Sequence, residues 1–149
     1  MPLVDEVSAA IAEAMRKKDA ARLSALRMLK AAFMNKGVEK GRDLDDAEAR
    51  QVVGVLVKQR KDSIDQFVKG GRQELADKEA AEILVLEAYL PPAADPAAID
   101  QAVADAIAET GATSPTDMGR VMKAAMARLA GQNVDGKTVN ELVRRKLGA

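Results

Sequence analysis

Arg120, Lys123, Lys137 and Arg144 have the type and spacing to hold phosphate. From Ala112 to Ala149 seven bases stand against three acids, while Pro92 to Gly111 holds four acids (Asp95, Asp100, Asp105, Glu109) and no base. A basic C-terminal segment therefore lies within a chain whose 23 Lys and Arg balance its 23 Asp and Glu. At about 100° per residue, Arg120 and Lys123 point away from a stripe of Met118, Val121, Met122, Ala125 and Leu129, with Ala124 and Ala127 beside them. Small residues next to outward bases let a bulky anionic surface come close. Lys137 and Arg144 share an outer face of the last helical stretch, and Arg145 follows Glu141 by the spacing of a helix-supporting ion pair. Each phosphate contact would add salt-dependent affinity without sequence information. The same bases would equally serve as an ordinary solvated surface.

Two other charges fall on the apolar faces of their helices. Arg60 lies on the apolar face of its helix among Val53, Leu56, Ile64 and Phe67, and Glu79 lies among Leu75, Ile83 and Leu86 on the next. Burying either ion alone costs several kcal/mol, so a structural ion pair between antiparallel neighbours is expected, with Arg27 near enough to join. A ligand site inside the helical core is the alternative. Lys58 and Lys61 alternate with Asp62 and Asp65 and read as a solvated mixed-charge face.

Much chemistry is missing. The chain has no Cys and no His, which excludes disulfides, Cys/His zinc sites, thiol nucleophiles and imidazole bases. It has no nucleophile elbow and no phosphate-binding glycine loop. Asp45 and Asp46 could contact Mg²⁺, but acids at a helix start are usually caps. No metal, cofactor or catalytic residue is expected. The opening Met1-Pro2-Leu3-Val4-Asp5-Glu6 lacks the pattern of a secretory signal, and no apolar run approaches the roughly 20 residues of a membrane span. A cytoplasmic protein without a membrane partner is the expectation.

Helices must position these residues, because apolar residues recur at helical spacing and strand alternation is absent. Aromatics make up only 2%, so the core must be aliphatic, Met and Ala. The first helix presents Leu3, Val7, Ile11, Ala14 and Met15. Asp19 caps a second with Leu23, Leu26, Phe33 and Met34, and Gly37 and Gly41 flank a polar loop. Leu44-Asp45-x-x-Glu48 has the form of a capping box before a long third helix, which stops at Gly70-Gly71. A fourth helix follows. Pro91-Pro92 breaks the chain, and Asp95-Pro96 starts again as cap plus first-turn proline. Ser114-Pro115-x-Asp117 and Asp135 open the last two helices. The expected fold is all-α: a four-helix N-terminal bundle over residues 1–91 and a small three-helix domain over residues 95–149.

The string Lys58-Gln59-Arg60-x-x-Ser63-Ile64-x-Gln66-Phe67-x-x-Gly70-Gly71-Arg72-x-Glu74-Leu75-Ala76-x-Lys78-Glu79-x-x-Glu82-Ile83, followed by Tyr89-Leu90-Pro91, resembles the GatB/YqeY family. Leu26 to Ala32 and Asp117 to Met122 are similar to it as well. The resemblance implies kinship with the helical tail of GatB, the tRNA-binding appendage of a glutamine-dependent amidotransferase whose kinase and transamidation site lies in a separate cradle domain. This chain has neither that cradle nor the partner subunit's Ser-Ser-Lys signature. Carbon–nitrogen ligase activity with glutamine as donor thus attaches to the family by association only.

The implied function is a non-catalytic module for tRNA or other structured RNA, working with amidotransferase or tRNA synthetase proteins. The acidic stretch from Asp95 to Glu109 would face away from the phosphates. A helical protein–protein adaptor without RNA binding is the alternative. Phe33, Phe67 and Tyr89 are the only aromatics, so base stacking could contribute little.

Overall fold

The computed structural model describes residues 1–148. Among these the chain is all-helical, in the order α1 (Leu3–Arg16), α2 (Ala20–Lys40), α3 (Asp46–Lys69), α4 (Gln73–Glu87), α5 (Pro96–Thr110), a 3₁₀ turn (Pro115–Asp117), α6 (Met118–Arg128) and α7 (Gly136–Lys146).

The helix starts follow from local side-chain chemistry. The Asp19 carboxylate accepts from the Arg22 amide at 3.2 Å, Asp95 from Ala97 at 2.9 Å and Asp135 from Lys137 at 3.0 Å. Each satisfies a first-turn N–H that has no helical partner. At α3 the box is reciprocal: Asp45 accepts from the Glu48 amide at 2.8 Å and Glu48 from the Asp45 amide at 3.1 Å. Glu48 also accepts from Arg42 at 2.6 and 2.9 Å and pairs with Lys40 at 2.9 Å. The Arg42 hydrogen bond, followed by those from Lys40 and the Asp45 backbone, holds this carboxyl far below the usual glutamate range.

A folded-state value below the unfolded one means that Glu48 stabilises the fold above the unfolded pKa of about 4.3. That contribution fades as pH falls below it. Glu48→Gln should therefore lower the urea midpoint at pH 7, with the gap to wild type closing progressively below about pH 4. A gap of constant size down to pH 2 would show that the charge contributes nothing.

The loop after α2 is shorter than the glycines suggest. α2 runs through Gly37 to Lys40, and only Gly41 turns, at φ 74°. The Arg42 amide donates back to the Gly37 carbonyl at 3.1 Å and the Gly41 amide to Val38 at 3.2 Å, a Schellman closure. A Cβ on residue 37 would sit 3.2 Å from the Arg42 carbonyl oxygen. Gly37 thus makes room for the returning chain inside the last turn.

Contacts divide the chain into two compact units, Met1–Leu90 and a second beginning at Pro91. Unit 1 is built on Leu3, Val7, Leu26, Leu29, Phe33, Val53, Val57, Ile83 and Leu86, from α1 to α4. Met15 and Met34, expected in this core, are 53% and 62% exposed. Ala10 and Leu29 take the inward positions.

Unit 2 buries Ile99, Val103, Val121, Ala125, Val139, Val143 and Leu147 from α5, α6 and α7. Its entry is pinned locally. Asn133 donates its side-chain amide to the Pro91 carbonyl at 2.8 Å and accepts from the Ala94 amide at 2.9 Å. Pro91 and Pro92 leave carbonyls without helical partners, and the α6–α7 loop supplies one.

Candidate functional site

In unit 1 Arg60 is buried, at 6% exposure. Its Nε donates to Glu82 Oε2 at 2.9 Å, while Glu79 Oε2 stands at 3.9 Å. Nη1 donates to the Leu56 carbonyl at 3.2 Å, and Nη2 to the Met28 sulfur at 2.8 Å. Glu82 is therefore the close partner and Glu79 a second carboxylate at the limit of contact. Arg27 is exposed; Met28, one residue on, supplies the α2 contact. No buried side-chain nitrogen or oxygen lacks a partner among the described residues. Each guanidinium nitrogen has a protein partner, from α2, α3 or α4, which makes Arg60 a tie between these helices.

In unit 2 the bases separate into two sets, and α5 does the separating. Arg128 of α6 reaches back to Glu109 at 3.0 Å and Asp105 at 3.9 Å, and Lys146 of α7 pairs with Asp100 at 3.1 Å. These pairs mark the sides of α6 and α7 turned to the acidic helix. Arg120 belongs with them. It pairs with Asp117 at 2.6 Å and donates to the Thr110 carbonyl, at the end of α5, at 3.2 Å. Arg120, followed by the Thr113 amide, lowers the Asp117 carboxyl from its ordinary range.

The other set lies across the bundle. At about 100° per residue, Lys123 is about 140° around α6 from Arg128, and Arg144 and Lys137 are about 160° and 180° around α7 from Lys146. All three are exposed. Lys123, Arg144 and the neighbouring Arg145 make no side-chain ion pair or hydrogen bond among the described residues. Glu141, expected to hold Arg145, is exposed and does not pair with it. Ala124, expected on the outer face, is half-buried against the unit 2 core, and Ala127 is exposed.

Lys123 and Arg144, turned away from α5, are therefore cations that no acid among the described residues neutralises. Sequence reasoning placed these bases outward, but it did not foresee which of them α5 would claim. That depends on ion pairs 19 residues apart, as from Arg128 to Glu109, and on the longer span from Lys146 to Asp100.

Large exposed hydrophobics are distributed the other way. Met1, Met15, Met28, Met34, Val38, Val55, Val68 and Leu84 all belong to unit 1, and unit 2 exposes none among the described residues. A groove of about 500 Å³ runs between α2 and α3, with Ala32, Val52, Val55 and Leu56 among its apolar lining. Lys36 and Glu39 pair at 3.1 Å on its rim, as do Lys40 and Glu48 at 2.9 Å. No group of three or more acidic residues among the described ones could hold a metal ion, and no helix is long and apolar enough to cross a membrane.

A family model described as "Yqey-like protein" matches residues 4–147. Curated relatives are fungal proteins named "Altered inheritance of mitochondria protein 41, mitochondrial". The one from Lachancea thermotolerans is 35% identical over 107 residues, covering 70% of this chain and 57% of that protein. The one from Kluyveromyces lactis is 42% identical over 78 residues, 52% of this chain and 42% of its own length. The one from Pyrenophora tritici-repentis is 26% identical and covers 99% of this chain and 82% of its own. The chain spans about half the length of the first of these relatives (57% and 42%).

Their names overturn the cytoplasmic location expected above, since these relatives are mitochondrial proteins. The expectation failed for a physical reason. Lack of a secretory apolar segment distinguishes secreted from retained chains and does not discriminate cytosol from organelle.

Proposed function

The chain belongs to the YqeY-like family, and from that premise we propose that it is a non-catalytic helical module that binds tRNA through unit 2. The observation that carries the reading is the set of uncompensated cations on α6 and α7, Lys123 and Arg144, turned away from the helix that neutralises Arg128 and Lys146, with Arg145 exposed beside them. Exposed cations that no internal acid neutralises raise the local potential toward an anion from outside. The resemblance to the GatB tail supports tRNA as that anion, and makes tRNA amidation proteins or a tRNA synthetase the partners alongside which it would act.

Fluorescence anisotropy with a folded tRNA tests this. The logarithm of affinity should fall linearly with the logarithm of salt, by roughly 0.9 for each phosphate contact. Binding indistinguishable from that of a neutral helical protein at low salt would sink the proposal.

A protein-binding adaptor is the second reading, and a different observation favours it. All large exposed hydrophobics among the described residues lie in unit 1, which also holds the α2–α3 groove. Exposed apolar side chains beside a groove suit a protein contact better than a nucleic-acid contact. Substituting Met34, Val38 and Val55 by Ser should leave tRNA binding unchanged under the first reading, and should remove partner capture under the second.

A further inference from the structure

We infer that the basic surface of α6 and α7 takes the sugar–phosphate backbone of a double-helical RNA segment, not unstacked bases. This rests on the reading of unit 2 as nucleic-acid-binding and narrows its ligand.

Three observations carry it. First, no Phe, Tyr or Trp occurs from Pro91 onward. Proteins that hold single strands place successive bases on aromatic faces, and unit 2 has no such face. The aromatics of unit 1 do not supply one either, because Phe33 is buried in its core and Phe67 and Tyr89 are half-buried.

Second, unit 2 exposes no large hydrophobic among the described residues. It therefore has no wedge to open a base step and no apolar face to enter a lipid surface. Third, Lys123, Arg144 and Arg145 project from helices, so their anchor points are fixed before binding. Cations anchored on rigid helices gain more from a regularly spaced array of anions than from a flexible one. A double helix presents phosphates at regular spacing and higher linear charge density than a flexible strand, and so releases more counterions per contact. The α5 side, where Arg128 and Lys146 already pair with Glu109 and Asp100, has little to offer the same backbone.

Full-length protein is tested by anisotropy against four probes at equal salt: folded tRNA, an RNA duplex of about 16 base pairs, oligouridylate of equal nucleotide number, and phosphatidylserine vesicles. The duplex should bind within about threefold of tRNA, with oligouridylate about tenfold weaker or more and a shallower salt slope. Lys123→Glu with Arg144→Glu, both at exposed positions and with helicity checked by circular dichroism, should abolish tRNA and duplex binding together. Oligouridylate binding as tightly as the duplex, or tRNA binding without duplex binding, overturns the inference and leaves RNA binding by this module standing. Vesicle binding equal to duplex binding makes the surface a general polyanion site and also overturns it. If no nucleic-acid probe binds, the proposed function itself fails.

Discussion

Arg60→Ala is expected to destabilise unit 1 by about 3 kcal/mol or more, since removing one partner of a buried ion pair strands the other. The stranded group is Glu82, whose side chain is 13% exposed and which accepts from Arg60 at 2.9 Å. The Leu56 carbonyl and the Met28 sulfur lose a donor at the same time. Urea unfolding of the full chain, with hydrogen exchange of α3 and α4 amides to assign the transition to unit 1, measures the loss.

Two companions separate the causes. Arg60→Met with Glu82→Leu removes both charges and keeps the volume, and should recover most of the stability. Glu79→Gln should cost less than about 1 kcal/mol, because at 3.9 Å and 25% exposed it is a solvated spectator of the closer pair. If Glu79→Gln proves as damaging as Glu82→Gln, Arg60 is shared equally and the register of α3 against α4 differs from that described.

The Arg60 group shows how far a single helix can be read. The wheel brings Arg60 inward because its neighbours at i−4 and i+4, Leu56 and Ile64, are apolar, and this is a property of α3 alone. On α4 the wheel favours Glu79, which shares its stripe with Leu75, Ile83 and Leu86. Glu82 sits at the edge of the same stripe, and the choice between them is set by the axial register of two packed helices. Register is a tertiary quantity, and no intrahelical spacing encodes it.

The helix starts at Asp19, Asp45, Asp95 and Asp135 were legible for the opposite reason, since a cap and the amide it holds lie within three residues. Gly37 misled because glycine weakens a helix without ending it. In the basic segment, outward placement was legible residue by residue. Which bases α5 engages was not, and Arg120 lies on the engaged side.

That division sets the strongest test of function. Lys123→Ala with Arg144→Ala should weaken tRNA binding by on the order of 50-fold at 0.1 M salt. A slope of about 0.9 per contact, carried down from 1 M, gives roughly eightfold for each lost phosphate contact. The salt slope itself should fall by about 1.8. Arg128→Ala with Lys146→Ala removes the same formal charge and should change affinity little, because those cations already face Glu109 and Asp100. The Arg120→Ala effect should lie between the two. Its pair with Asp117 is 61% exposed on the arginine side, and an exposed pair of that kind is weak enough for a phosphate to displace. All these variants should lose affinity uniformly across tRNA species, since backbone contacts position a nucleic acid without reading it. Equal losses from the two double variants would mean that net charge alone draws the RNA, and the surface opposite α5 would have no privileged role.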